Sequence, residues 1–197
     1  SLLMEDANAM ADQSNLIKPV EDEGYSIQNL VRHLKTLNLS KDYSLLDLFK
    51  IRYRPFVCPL HIIIDKIPKR KKVFDFGCGH GVLLSLVSSF KSPLALGGAE
   101  ISERLVSSAK KLVSRNNDIP VNTYRIKEPF NIPDEIKNYD FVLMIDVLHH
   151  VPKKFQKLLI KNLFDKMSPG TTILFKDIDG ARVILNLFNI LHDMILS

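Results

Sequence analysis

The sequence predicts an α/β fold: a doubly wound parallel sheet flanked by helices and preceded by an N-terminal helical cap. Three observations carry this. From residue 72 onward, short apolar runs of strand length alternate with amphipathic stretches of helix length. That is the order right-handed βαβ crossovers impose on a parallel sheet. The first run, KVFDF, passes directly into a glycine loop, GCGHG, and from there into a helical stretch. A later run, YDFVLMID, is apolar almost throughout, as a strand covered on both faces has to be.

In chain order, residues 1–24 hold six acids against Lys18 alone and are expected to form a flexible tail. Ser26 is a candidate N-cap for a helix over residues 26–38, with Ile27, Leu30, Val31, Leu34 and Leu37 on one stripe. A second helix is expected over residues 44–51. A third follows Pro59, with Leu60, Ile63, Ile64 and Ile67 as its apolar face. Residues 25–68 thus form the cap and residues 69–197 the α/β core, together one structural domain.

Within the core, GVLLSLVSSF reads as a helix, PLALGGAE as a strand, SERLVSSAKKLVSRN as a helix and PVNTYRI as a strand. A turn-rich loop, KEPFNIPDEIKN, leads to the strand YDFVLMID, the helix PKKFQKLLIKNLFDKM, an SPG turn and the strand TTILFKD. The closing stretch ARVILNLFNILHDMIL is apolar nearly all round, which suggests a buried helix or a homo-oligomer contact.

With 197 residues, 46% hydrophobic and 25% charged, the chain suits one globular domain with a real core. No apolar run reaches bilayer length, so no membrane span is expected. Cys58 and Cys78 lack the spacing of a disulfide framework, which suggests a reducing, cytoplasmic setting. The net charge is +5, and the one dense basic cluster is KRKK at residues 69–72. In an open α/β sheet ligands bind at the carboxyl ends of the strands, and this cluster enters the first strand at its amino end. It reads as a solvated turn, and nucleic acid is not expected as a partner. The ligand rim instead collects DFGCGHG, Glu100, Glu128, residues 146–150, Asp177 and Asp179.

On that rim the spacing of Gly77, Gly79 and Gly81 is G-x-G-x-G, with Asp75 just ahead. A dinucleotide fingerprint would read G-x-G-x-x-G, so an NAD-dependent oxidoreductase is the less favoured alternative. An acid at the loop entrance disfavours phosphate but suits an ammonium group. Glu100, ending the second strand, can accept hydrogen bonds from both ribose hydroxyls. An acid for an amine, backbone amides for a carboxylate and an acid for a ribose together describe S-adenosylmethionine.

Here the sequence resembles the class I S-adenosylmethionine-dependent methyltransferases. The resemblance runs through VFDFGCGHG, GGAEIS, YDFVLMIDVLHHV and MSPGTTILFKD. The approach RYRPFVCP looks like a small bacterial branch of unassigned substrate. The resemblance implies a Rossmann-like core and in-line methyl transfer to a small-molecule or lipid-like acceptor, with no metal. It implies that Asp75, Gly77, Cys78 and Gly79 line the methionine end, that Glu100 holds the ribose, and that Ile101 packs on the adenine. Glu128 would meet the adenine amino group, and Asp146, Val147 and Leu148 would run beneath the sulfonium. Sheets of this family continue into two further strands, so the last strands of the usual seven are expected to be missing here, through truncation or cover by another subunit.

His149 and His150 are candidates for the general base, the competing reading being packing at a helix entry. Asp177, with Asp179 two residues on, would orient substrate or act as base; the alternative is turn chemistry. Cys78 with His80 falls short of a zinc site. Cys78 reads instead as small enough to let the loop close, and His80 as a pocket border. Tyr43, Phe49, Tyr53 and Phe56 in the cap form a candidate lid over the acceptor. A non-catalytic cofactor-binding partner or regulatory subunit is the alternative function.

Overall fold

The computed structural model describes residues 25–115 and 119–177. The expected tail over residues 1–24, Asp179 and the apolar stretch over residues 181–196 lie outside the described residues.

Three cap helices come first: α1 (Ile27–Thr36), α2 (Leu45–Val57) and α3 (Leu60–Lys66). The core follows as β1 (Lys72–Phe76), α4 (Val82–Lys91), β2 (Ala95–Glu100), α5 (Glu103–Val113), β3 (Val121–Arg125), β4 (Phe141–Ile145), α6 (Lys153–Lys166) and β5 (Thr172–Lys176). The five strands form one sheet in the order β3-β2-β1-β4-β5, and every neighbouring pair is parallel.

Serine caps set where three helices begin. The side chains of Ser26, Ser44 and Ser102 accept from the amides of Asn29, Asp47 and Leu105 at 3.1, 3.2 and 3.4 Å. Such a cap contributes about 1 kcal/mol. The second helix runs six residues beyond the expected residue 51, through Pro55. Pro55 is buried on the core side with Leu48 and Ile51. Packing there outweighs the one backbone hydrogen bond the ring removes. The expected loop KEPFNIPDEIKN contains a short 3₁₀ turn, Asp134–Asn138, that buries Ile136 completely.

The sheet divides the apolar side chains into two layers by strict alternation. In β4, Phe141, Leu143 and Ile145 pack into the layer built by α1 to α5. Val142 and Met144 point the other way, toward Leu159 and Leu163 of α6. Each fully buried Leu-sized side chain is worth roughly 1.5–3 kcal/mol of transfer free energy, so both faces must be covered for β4 to stay uniformly apolar. Asp75 lies on the α1–α5 face, in register with Gly98 of β2 and Leu143 of β4.

From β1 the chain winds outward through β2 and β3, then returns to place β4 on the other side of β1. That reversal is the topological switch point, where such sheets open a crevice at the carboxyl ends of the strands. The basic residues 69–72 occupy the opposite rim, with Lys72 opening β1. Among the described residues no helix is long and apolar enough to cross a membrane.

Candidate active site

A cleft of about 840 Å³ opens at the switch point. Its walls are the ends of β1, β2 and β4, and its roof is the cleft-facing side of α2. Ligand pockets for cofactor-sized molecules span roughly 300–1,000 Å³.

The loop after β1 turns tightly because its glycines adopt left-handed backbone; Gly77 has φ +81°. A methyl group at Gly77 would come within 2.4 Å of Val147 Cγ2, so the β1 and β4 ends can close on each other only with glycine there. Cys78 is buried and packs on β2 at Gly98, where an added Cβ would lie 2.9 Å from the Cys78 sulfur. Burial pushes the Cys78 thiol well above its ordinary value, with the charges of Asp75 and Glu100 acting in the same direction. It is a packing residue and not a thiolate.

Asp75 is only 4% exposed, yet it lines the cleft. Burial pushes its pKa up to about 7; Arg54 opposes this and Glu100 adds to it. Burying a carboxylate is costly, and a cationic group entering the cleft would relieve that cost.

Glu100, at the end of β2, is held by three backbone amides. Its Oε1 accepts from Ile101 at 2.8 Å and Ser102 at 3.2 Å, and its Oε2 accepts from Gly79 at 3.1 Å. These bonds aim the carboxylate across the cleft and tie the glycine loop to β2. Each oxygen retains acceptor capacity for a hydroxyl. Ile101 stands beside it on the cleft wall, about half exposed.

The β4 end is assembled from distant segments. Asp146 adopts a left-handed backbone, φ +56°, which a non-glycine residue sustains at some strain and which is concentrated at functional sites. Its buried carboxylate receives Arg54 Nη2 of α2 at 3.2 Å and the ammonium of Lys176 from β5. Cys58 adjoins the same carboxylate; burial pushes its thiol up to about 11, so it stays neutral. Three residues after Asp146, His149 Nδ1 lies 2.7 Å from Asp177 Oδ1. The His149 amide donates to Asp177 Oδ2 at 3.1 Å. An ionised carboxylate only accepts, so Nδ1 carries a proton, and in the neutral ring Nε2 is then the nitrogen with the lone pair. The rings of His149 and His150 lie 3.8 Å apart, and both line the cleft.

The cap is pinned over this floor. His80 of the glycine loop meets Asp47 of α2 at 3.3 Å and the Ser108 hydroxyl of α5 at 2.8 Å. Arg104 reaches Asp47 at 2.9 Å, and the Tyr43 hydroxyl donates to the Ser108 carbonyl at 2.9 Å.

Of the residues singled out from sequence, Asp75, Gly77, Cys78, Gly79, Glu100, Ile101, Asp146, Val147, His149 and His150 meet around the one cleft. Asp177 stands behind His149. Two stand apart. Glu128 is exposed and off the cleft wall, which at that point is Ile126 and Pro129. Leu148 packs instead with the α6-side core, because the 3₁₀ turn Leu148–His150 rotates it away from its neighbours. In the cap, Phe49 and Tyr53 line the cleft, Phe56 leans on Tyr53, and Tyr43 is tied to α5. Sequence reading missed Arg54, Lys176 and Asp47. Each partners a residue 30 or more positions away, and no local pattern announces such a pair.

Comparison with known proteins returns a consistent picture. The family model described as "Methyltransferase domain" matches residues 51–192. A carboxy-S-adenosyl-L-methionine synthase of Campylobacter curvus is 25% identical over 122 residues, covering 59% of this chain and 48% of its own. The chain thus spans about half the length of that curated relative. The solved structure titled "DhpI-SAM-HEP complex" superposes with a TM-score of 0.54 at 16% identity, over 82% of this chain and 69% of that one. The DhpI-SAH complex gives 0.50 at 14% identity, over 77% and 68%. At these identities the likeness to the solved structures is one of fold.

Proposed function

The chain belongs to the class I S-adenosylmethionine-dependent methyltransferase family, and from that premise we propose that this cleft binds S-adenosylmethionine and transfers its methyl group to a small-molecule or lipid-like acceptor. The observation that carries this reading is Asp75: a buried carboxyl group on the cleft wall, beside a glycine loop and within the field of Glu100. An amino-acid ammonium satisfies Asp75, and Glu100 accepts from ribose hydroxyls. Ile101 offers its apolar surface to the base. When bound, the cofactor supplies an electrophilic methyl on a sulfonium, the hard part of the chemistry.

The chain's own residues then hold the acceptor in line and manage its proton. His149, kept by Asp177 in the tautomer with a free Nε2, takes the acceptor's proton as the bond from acceptor to methyl forms. From Nε2 that proton would pass on to solvent. Asp146, clamped by Arg54 and Lys176, holds a fixed ion-paired carboxylate beside the reacting centre. The free cysteines Cys58 and Cys78 fit a reducing, cytoplasmic setting.

The test is calorimetric titration with S-adenosylhomocysteine and, separately, NAD. Binding of the first, with loss in Asp75→Asn, is expected. Tight NAD binding without S-adenosylhomocysteine binding would sink the reading.

A further inference from the structure

One face of α2 is apolar and open. Leu45, Leu46, Phe49, Tyr53, Phe56 and Val57 are 85, 74, 57, 50, 59 and 73% exposed. They are six of the ten large hydrophobic side chains exposed among the described residues. At about 100° per residue they share roughly a third of the helix circumference. Leu48, Ile51 and Pro55 face the core from the opposite side. The face is ordered, not scattered: Phe49 stacks on Tyr53 at 4.2 Å and Tyr53 meets Phe56 at 5.7 Å.

This ridge does not stop at the surface. Phe49, Tyr53 and Val57 are also walls of the cleft, so one apolar track runs from outside α2 to the chamber that holds His149. Lys50 lines the same cleft from the next position on α2 and has no ion-pair partner among the described residues. The neighbouring cations are already spoken for, Arg54 by Asp146 and Arg104 by Asp47.

We propose that the methyl acceptor is a single-chain amphiphile whose head carries an anionic group, met by Lys50, beside the protic nucleophile that His149 deprotonates, with its alkyl or acyl chain lying on the α2 ridge. The proposal rests on the methyltransferase reading and names the acceptor class for the same site. A ridge serving only as a contact surface need not share side chains with the cleft, nor have a cation waiting inside its mouth. A small polar acceptor would leave six exposed apolar side chains unused.

The full chain, saturated with S-adenosylhomocysteine, is titrated with dodecanoate and octanoate below their micelle concentrations. Each methylene that leaves water on the ridge raises affinity roughly two- to fourfold, so dodecanoate should bind about 16-fold or more tighter than octanoate. The triple variant Leu45→Ser, Leu46→Ser, Phe56→Ser changes only exposed positions off the cleft wall. It should erase that chain-length dependence while binding S-adenosylhomocysteine as before. Equal affinity for the two acids, no dodecanoate binding to the unaltered chain, or binding unchanged in the variant overturns the proposal. So does a dimer that dissociates in the variant, which would make a second copy the occupant. Sedimentation with phosphatidylglycerol vesicles without binding of monomeric dodecanoate overturns it in favour of a bilayer. Failure of S-adenosylhomocysteine to bind strikes the methyltransferase reading itself and is read separately in the first titration.

Discussion

The β1–β2 side of the cleft and its β4–β5 side are built in opposite ways. On the first, everything essential lies in two short stretches, residues 75–81 and 97–101. Most of it is backbone: left-handed glycines and three amides gathered on Glu100. On the second, side chains do the work. Asp146 is held by Arg54, 92 positions earlier, and by Lys176, 30 positions later; His149 is held by Asp177, 28 positions later. A site for a shared cofactor can be fixed by local backbone geometry. A site for an individual acceptor is tuned by long-range side-chain pairs, which can change without rebuilding the loop.

If that division holds, substitutions on the two sides should separate binding from turnover. The largest expected effect is His149→Ala. Methyl transfer from labelled S-adenosylmethionine to a lipid extract should fall about 100- to 10,000-fold, the range for loss of a general base. S-adenosylhomocysteine affinity should stay within about threefold, since no cofactor contact is assigned to His149. Asp177→Asn should lower turnover less, because it loosens the hold on the ring without removing the base. An equal loss of binding and rate in His149→Ala would place the histidine on the cofactor side.

Next is Gly77→Ala. Positive φ and a methyl 2.4 Å from Val147 Cγ2 together should weaken S-adenosylhomocysteine binding by about 100-fold, equivalent to strain of roughly 1–3 kcal/mol. Adding Val147→Ala removes the collision but not the backbone cost, so the double variant should recover only part of the affinity. Full recovery would show that space, and not backbone geometry, makes glycine necessary there.

These two sides also differ in how far the sequence could reveal them. VFDFGCGHG is contiguous, so Asp75, Gly77 and Gly79 could be placed on the rim from spacing alone. The strands were equally readable, because burial on both faces makes β4 a continuous apolar run. Glu128 misled because an acid after the third strand has the right address, whereas the chain there turns Ile126 and Pro129 inward. Leu148 misled because strand alternation does not survive a 3₁₀ turn. Arg54 lay inside the quoted stretch RYRPFVCP, but its role depends on α2 continuing through Pro55, which packing decides.

The third expected effect concerns pH. Asp75 has a folded pKa of about 7, above its ordinary 3.8. The folded state therefore binds more protons than the unfolded state between those values, and stability should fall as pH rises from about 4 to 7. Ligand binding has the opposite sign, because an ammonium prefers the carboxylate. S-adenosylhomocysteine affinity should rise between pH 6 and 8, with proton release detectable as a buffer-dependent enthalpy. Asp75→Asn should weaken binding roughly 10- to 100-fold, the worth of a hydrogen bond to a charged group, and flatten both pH profiles. A binding profile that keeps its slope in Asp75→Asn assigns the proton elsewhere.

The smallest effect is the one that tests whether the two sides are separate at all. Arg54 belongs to the β4 side through Asp146, yet its charge also holds the Asp75 pKa down. Arg54→Met should cost only about 1 kcal/mol in urea unfolding, because Arg54 is partly exposed and Lys176 still neutralises Asp146. Lys176→Met alone should be similarly mild. The double variant should lose more than the sum, because it leaves Asp146 buried without a cation. At the same time Arg54→Met should move the midpoint of the S-adenosylhomocysteine pH profile upward, since the cation opposing Asp75 protonation is gone. Lys176→Met, on the far side of Asp146, should leave that midpoint in place. Were both midpoints unmoved, the cofactor and acceptor sides would be electrostatically independent. A shift confined to Arg54→Met makes α2 the element through which occupation of the acceptor side adjusts the grip on the cofactor.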